Sequence, residues 1–379
     1  MGIMSCDIDI VIIGAGVVGL AVAAAVAHQN REVYIIEKNE TFGRDTSSRN
    51  SGTIHTSILS PRGSLNARFC LEGNPLLFEL CRTHKVDYRR TGKLLVACNK
   101  DEIAALDAMY QRREDGIEMQ RLSRRDIARI EPEINGIEAV LLPGSGVVDP
   151  HALMRCYLAV ARANGAQLVC QSEVIGLEKT ADGYLTSIRD SAGISQLHSR
   201  VVINCAGLYS DRIAAIAGIN IDKAGYRLSY FKGEFYSVRS TQARRMDRRL
   251  IYPMLKPGGV IAIHTVLDVD GRIRLGPDFY PVDEVDYSID DSRREIFLEG
   301  VRKLFSFIAP EDIDPESAGI MPRRYPRGES FREFVVRHET DRGLPGFINA
   351  LGIESPGITA SPAIARYIAG MVNEILTPF

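Results

Sequence analysis

Glycines at positions 14, 16 and 19 are spaced for work on a phosphate-bearing molecule. In Gly14-Ala15-Gly16-Val17-Val18-Gly19, Gly14 would turn the chain sharply and Gly16 would let backbone approach a pyrophosphate. Gly19 would let a helix pack closely on a strand, with Val18 facing the same turn. The elements that must hold this turn flank it. Asp9 to Ile13 (DIVII) is β-branched without alternation and predicts a strand buried on both faces. Leu20 to His28 predicts an alanine-rich helix, whose N-terminus would offer free N–H groups and a positive dipole end to phosphates. Arg31 to Glu37 (REVYIIE) predicts a second strand, followed by Lys38. Glu37 stands about where an acid takes a ribose hydroxyl, which disfavours a phosphorylated ribose and hence NADP. A purely structural glycine turn would leave strand, turn, helix, strand and terminal acid in that order without a common cause.

Further segments separate FAD from NAD. Lys38 to Asn50, then Ser51-Gly52-Thr53-Ile54-His55, is a polar loop that includes Ser48, Asn50 and Ser51. Such a loop suits a long phosphate-and-flavin path. Val201 to Asp211 (VVINCAGLYSD) reads as a buried strand, a small-residue turn at Ala206-Gly207, and the acid Asp211. Gly346 to Thr359 reads as a strand ending in glycines, Gly352 among them, and a turn Gly357-Ile358-Thr359. A helix from Ala363 to Leu376 follows, which would set a helix N-terminus against an electron-rich group such as the O2 side of a reduced flavin. Cys70 and Cys205 would permit a covalent flavin link, but a non-covalent FAD is the expectation.

Composition sets the outer bounds. A chain of 379 residues, 45% hydrophobic and 25% charged, is long enough for two domains and ordinary for a globular enzyme. A formal net charge of −2 gives no support to nucleic-acid binding. The seven cysteines are scattered with no CxxC pair, which argues against a zinc site, a cysteine-ligated cluster or a disulfide framework. No metal is expected, and a reducing, cytoplasmic setting is. The apolar run Ile10 to Ala27 has nearly the length of a membrane span, yet acidic residues precede it and glycines interrupt it. Strand, turn and helix explain it better, and peripheral contact with a membrane stays open.

Over nearly its whole length the sequence resembles the D-amino-acid-oxidase-type FAD oxidoreductases. Within them it is most similar to the L-2-hydroxyglutarate dehydrogenase/oxidase branch and its relatives near glycerol-3-phosphate dehydrogenase. The resemblance rests on SSRNSGTIH (Ser47 to His55), PRGSLNARFCLEG (Pro61 to Gly73), TGKLLVA (Thr91 to Ala97) and GVVDP (Gly146 to Pro150). It continues through NCAGLYSD (Asn204 to Asp211), FKGEFY (Phe231 to Tyr236), LIYP (Leu250 to Pro253), GRIRLGP (Gly271 to Pro277) and GIESPGITASPAIA (Gly352 to Ala365). It implies FAD contacts at the clamp glycines, Glu37, Ser48, Asn50, Ser51, Gly207 and the Gly357-Ile358-Thr359 turn. It also implies a backbone contact to the adenine side at Val174, in a strand Gln171 to Leu177. The sequence departs from the family pattern where substrate would sit. A glycine and paired tyrosines become Ser57, Leu59 and Ser60; an arginine becomes Lys232; and a GIRP element reads Gly319-Ile320-Met321-Pro322.

The expected fold is α/β and α+β: a Rossmann-type FAD-binding domain from residues 1–80, 145–215 and 345–379, and a mixed-sheet substrate domain from 81–144 and 216–344. The latter would hold a helical insert, Asp101 to Arg129, and strands at Gly233 to Val238, Gly259 to His264 and Arg272 to Leu275. Oxidation of a hydroxy acid needs a base for the hydroxyl proton and cations for the carboxylate. Histidine suits the base role, and either His55, after the polar loop, or His264, ending a strand at the domain junction, could serve. Both match histidines in the related family. Lys232, Arg274 and Arg68 are candidates for the carboxylate. The expected activity is oxidation of a small 2-hydroxy acid, with glycerol 3-phosphate or an amine such as glycine or sarcosine as alternatives. An electron-relay flavoprotein subunit is the alternative from a different class. The electron acceptor, whether oxygen, quinone or protein, is left open.

Overall fold

Ile8–Ile13 forms the central strand of the largest sheet because both of its faces have something apolar to meet. Ile10 and Ile12 pack among Leu20, Ala21 and Val22 of the helix Val17–Val26, while Val11 and Ile13 pack on the opposite face with Val202 and Ile213. This period of two, with both faces apolar, is the signature of a buried parallel strand. The computed structural model describes residues 8–246, 249–254, 263–324 and 331–377.

The sheet runs Glu173–Lys179, Tyr184–Asp190, Gly193–Asn204, Ile8–Ile13, Val33–Ile36, Gln167–Val169, with Phe347–Leu351 and Val335–His338 joined on a branch. Gly193–Asn204 makes the branch. Its first half pairs antiparallel with Tyr184–Asp190, and its last residues pair parallel with both Ile8–Ile13 and Phe347–Leu351. Four strand ends therefore meet in register: Ile13 lies beside Asn204 and Ile36, and Asn204 beside Asn349. Buried Asn204 donates to Asn349 Oδ1 (2.8 Å) and to the Ser210 carbonyl (2.7 Å), so a side-chain amide locks those ends together.

Helices Leu65–His84, Pro150–Ala163 and Gly357–Leu376 cover one face with Val17–Val26. Their starts are written locally. Ser64 Oγ accepts from Ala67 N, and Asp149 caps a helix that opens on Pro150. The C-terminal helix begins at Gly357, not at Ala363, so Pro362 lies inside it. A proline in a helix interior removes a donor. Here Ser361 Oγ donates to the Ile358 carbonyl (2.9 Å), the acceptor that Pro362 leaves without a backbone N–H.

A second layer holds the remaining strands. One sheet runs His264–Leu267, Ile273–Val282, Ser229–Val238, Ile313–Arg323; another runs Leu250–Pro253, Lys93–Ala97, Glu138–Leu142, Gln120–Ser123. A small sheet of Thr53–Ile54, Gly146–Val148 and Tyr88–Arg89 lies beside them. Three expectations change. The stretch Asp101 to Arg129 carries helices Ile103–Tyr110 and Arg124–Ile130 but also the edge strand Gln120–Ser123, whose polar residues reflect an exposed edge. His264 opens a strand and does not end one; Gly259 to Val260 and the following two residues lie outside the described residues. Val335–His338 joins the large sheet although it precedes residue 345.

Candidate active site

At the C-terminal ends of the parallel strands the glycine turn takes the form its sequence dictates. Gly14 has φ +101°, and a Cβ there would lie 2.5 Å from the Cys205 carbonyl; a Cβ on Gly19 would lie 2.0 Å from the Gly14 carbonyl. Only glycine permits these approaches. Gly16, Val17 and Val18 line a cavity of about 520 Å³, and Val17 N–H donates to Ser47 Oγ (2.9 Å). Glu37 is buried, its carboxylate accepting from Ala15 N (2.8 Å) and Asn39 N (2.9 Å). Lys38 pairs with Asp45 (3.4 Å).

The polar loop wraps the same cavity. Asn50 bridges the loop by donating to the Thr46 and Ser47 carbonyls and accepting from Gly52 N, and Asn50 and Ser51 face the cavity. Ser48 turns back to the Asp45 carbonyl (3.1 Å) and does not line it. Gly207 lines the cavity at φ +53°, with no atom within 4 Å of a Cβ built there. Ala206 N is held by Asn204 Oδ1 (3.2 Å), Asp211 accepts from Arg212 N and Leu228 N, and Val174 is buried in Glu173–Lys179.

The C-terminal turn closes the far wall. Gly357 and Ile358 line the cavity at the start of the long helix, while Gly352 makes the bend before it at φ +67°. Thr359 is buried and accepts from His55 N (3.0 Å), and Asn74 donates to the His55 carbonyl (2.7 Å). His55 is thus pinned through its backbone to two helices, Leu65–His84 and Gly357–Leu376.

Around His55 stands a compact group of side chains. Lys93 Nζ lies 3.2 Å from His55 Nδ1, and Ser355 Oγ lies 3.5 Å from His55 Nε2. Lys93 Nζ also sits 4.2 Å from the centroid of the Tyr252 ring, which stacks on the His264 ring at 3.7 Å. His55, Tyr252 and His264 line the cavity. Burial, then the neighbouring Lys93 and His264, hold the His55 imidazole well below its ordinary pKa. Burial brings the Lys93 ammonium down to about 7, against a small opposing effect of Cys70.

Strand alternation decides which cations reach this space. In Ser229–Val238, Phe231, Gly233 and Phe235 face the cavity, so Lys232 faces away. It is buried there against Asp286 (2.9 Å) and Glu234 (3.7 Å), outside the cavity lining. Arg274 packs on Phe235 (5.2 Å to the ring centroid) and near the Asn50 carbonyl (3.5 Å), outside the cavity lining. Arg68 is half exposed on its helix and pairs with Glu72. Among the described residues of the second layer, Arg323 lines the cavity as a cation, 17% exposed, stacked on Phe231 (4.5 Å) and paired with Glu354 (2.9 Å). It sits on the face of Met321, two residues along Ile313–Arg323, so its guanidinium reaches the cavity wall that Met321 also lines. Arg49 also lines the cavity, over the Tyr287 ring (4.1 Å).

Sequence reasoning missed Ser47, Lys93, Tyr252, Arg323 and Ser355. A lysine heading the apolar run KLLVA was a readable signal for Lys93, since a charged residue in a fully buried strand needs a reason.

The residues present fit a flavin dinucleotide. Two glycine turns from opposite ends of the chain line one cavity, two helix N-termini open onto it, and Gly207 leaves it room. Ser57, which also lines it, is buried at φ +67° with its hydroxyl unpartnered among the described residues. Cys70 and Cys205 are free thiols that burial pushes up to about 12, so neither is poised as a thiolate. No cluster of metal-ligating side chains occurs among the described residues, and no described helix is long and apolar enough to cross a membrane.

The sequence pattern of FAD dependent oxidoreductases of the DAO type matches residues 9–371, and the chain belongs to that family. It is an FAD-dependent enzyme of oxidation and reduction. Among its relatives it is 31% identical over 404 residues to "L-2-hydroxyglutarate dehydrogenase, mitochondrial" of Arabidopsis thaliana, covering 96% of this chain and 83% of that protein. It is 28% identical to a "Glycerol 3-phosphate dehydrogenase" of Caloramator mitchellensis, covering 97% of this chain and 74% of that one. In fold it is similar to L-alpha-glycerophosphate oxidase of Mycoplasma pneumoniae with FAD bound, at a TM-score of 0.85 and 24% identity over 96% of this chain and 94% of that chain. Glycine oxidase of Geobacillus kaustophilus aligns at a TM-score of 0.79 and 21% identity over 98% of this chain and 96% of that one.

Proposed function

We propose that the protein oxidises a small 2-hydroxy acid of the L-2-hydroxyglutarate kind at its carbinol carbon. FAD, when bound, supplies the hydride-accepting chemistry. The chain must then remove the hydroxyl proton, hold the carboxylate and keep water out. His55 is the base: its depressed pKa keeps the imidazole neutral near pH 7, the form able to accept a proton. His264, stacked on Tyr252, orients the hydroxyl from the second wall. Arg323 takes the carboxylate, its planar fork fixed by Phe231 and Glu354. Phe231, Phe235, Phe279 and Met321 give the remainder of the pocket an apolar wall that excludes water. The clamp residues Gly14, Gly16, Val18, Gly19 and Glu37 serve the dinucleotide end, and Gly357 and Ile358 the ring end.

The observation that carries this reading is the convergence of His55, His264 and Arg323 on one cavity that both glycine turns also line. The relatives named for L-2-hydroxyglutarate support the substrate class. The relative named for glycerol 3-phosphate keeps a second reading in view, a secondary alcohol bearing phosphate in place of carboxylate. Anaerobic addition of substrate to the yellow holoenzyme separates them. Bleaching by a 2-hydroxy acid and not by glycerol 3-phosphate, glycine or sarcosine supports the first reading, and bleaching by none of the hydroxy acids rejects it. Reoxidation of the bleached enzyme by oxygen, a quinone or a protein then identifies the acceptor.

A further inference from the structure

A lysine with no exposed surface normally holds its charge against an acid. Lys93 has instead an imidazole nitrogen at 3.2 Å and an aromatic face at 4.2 Å. The groups turned toward it are His55 from the loop after Thr53–Ile54, Tyr252 from Leu250–Pro253 and Cys70 from Leu65–His84, with His264 beyond Tyr252. Burial pushes the Cys70 thiol to about 12 and the Tyr252 phenol above its ordinary range, so neither carries charge near neutrality. Among the described residues, the partner available to Lys93 for exchanging a proton is His55.

The contact has two forms. With Lys93 as ammonium, Nζ–H donates to His55 Nδ1, and the neutral imidazole carries its proton on Nε2. That nitrogen is then a donor and cannot act as a base. With Lys93 as amine, His55 Nδ1–H donates to the Nζ lone pair, and Nε2 is left bare toward Ser355 and the cavity.

We propose that Lys93 and His55 form a proton-accepting dyad in which Lys93 positions the imidazole tautomer and takes up the proton that Nδ1 gives away. The proposal rests on the reading of His55 as the base. The substrate O–H bond breaks as His55 Nε2–H forms, His55 Nδ1–H breaks as a third Nζ–H bond forms, and the imidazole stays neutral while Lys93 becomes ammonium. As the carbon becomes a carbonyl, bound FAD would supply the acceptor for the carbinol hydrogen and its electron pair. A positive charge thus develops on Lys93, against the Tyr252 face, and not on His55 beside the substrate. Because the competent dyad has Lys93 deprotonated, the limiting rate rises with pH through the Lys93 ionisation at about 7.

Holoenzyme labelled with 15N-histidine tests this without turnover. The His55 signals should exchange tautomer as pH is raised from about 5.5 to about 9, across the histidine and lysine ionisations, with Nε2–H at the acid end and Nδ1–H at the alkaline end. In Lys93→Met that exchange should vanish. Anaerobic stopped-flow reduction of the flavin should show a single ionisation near neutrality in the wild type. Lys93→Met should lose it and run about 100-fold slower at its optimum, with flavin content retained. Lys93→Arg, permanently charged, should be slow at every pH. A His55 tautomer that ignores pH in the wild type, or a Lys93→Met enzyme with an unaltered pH profile, overturns the dyad. Failure of every hydroxy acid to bleach the flavin would reject the substrate reading, while the nitrogen spectra would still decide for or against the dyad.

Discussion

A side chain's chemistry here depends on which side of a strand it leaves. Lys232 and Phe231 are neighbours in sequence, yet one faces Asp286 and the other the cavity. Arg323 reaches the cavity because it is two residues from Met321, on the same face of its strand. We expect Arg323→Met to raise the KM for a 2-hydroxy acid by about 10- to 100-fold, the loss of a charge-assisted hydrogen bond of about 1.5–3 kcal/mol. Lys232→Met should leave KM within about twofold. Steady-state kinetics on both variants distinguishes the two positions. For His55→Gln the limiting rate of flavin reduction should fall by about 100- to 10,000-fold with flavin retained. Ser57 stands where the related family has glycine, and its φ of +67° explains why glycine is favoured there. Ser57→Gly should raise stability by about 0.5–1 kcal/mol, read as a higher Tm.

At the scale of elements, the clamp was legible because every part of it is local. The strand, the glycine spacing, the helix and Glu37 lie within about thirty residues of chain and obey short-range rules. The C-terminal turn was legible for the same reason, although its helix begins at Gly357 and not at the expected Ala363. The Lys93–His55 contact was not, since the small sheet that leads into His55 and the strand Lys93–Ala97 meet only through tertiary packing. Nor could the sequence tell which face of Ser229–Val238 meets the cavity, because phenylalanines and charged residues alternate there and both faces are buried. The joint between helices Leu65–His84 and Gly357–Leu376 depends on Gly73, where a Cβ would lie 2.2 Å from the Thr359 carbonyl. Gly73→Ala should therefore lower Tm and loosen flavin together, because Thr359 holds His55 and its helix opens on the cavity. Thermal melts beside flavin fluorescence check it; a stable variant with full flavin would count against this joint.

Across the whole molecule, the buried lysine leaves a mark on stability as well as on rate. Lys93 has a folded pKa of about 7, below the value near 10.5 it would have in the unfolded chain. Between those values the unfolded chain binds more protons, so this group makes stability rise with pH from about 7 to about 10. Denaturant melts across that range should show the rise in the wild type and a shallower dependence in Lys93→Met. The two layers are joined by the cavity itself, whose lining comes from the large sheet's turns, the polar loop and the Ser229–Val238 sheet. A flavin held there would tie the first and last turns of the chain to one object, adding stability that grows with the logarithm of free flavin above its Kd. The decisive measurement is bound flavin, by absorbance after gel filtration, in the wild type and in Gly16→Val and Gly357→Val. Full occupancy is expected in the first and loss in each single variant, since both glycines line the same cavity from opposite ends of the sequence. Full flavin with an unshifted spectrum in Gly357→Val would contradict a shared cradle.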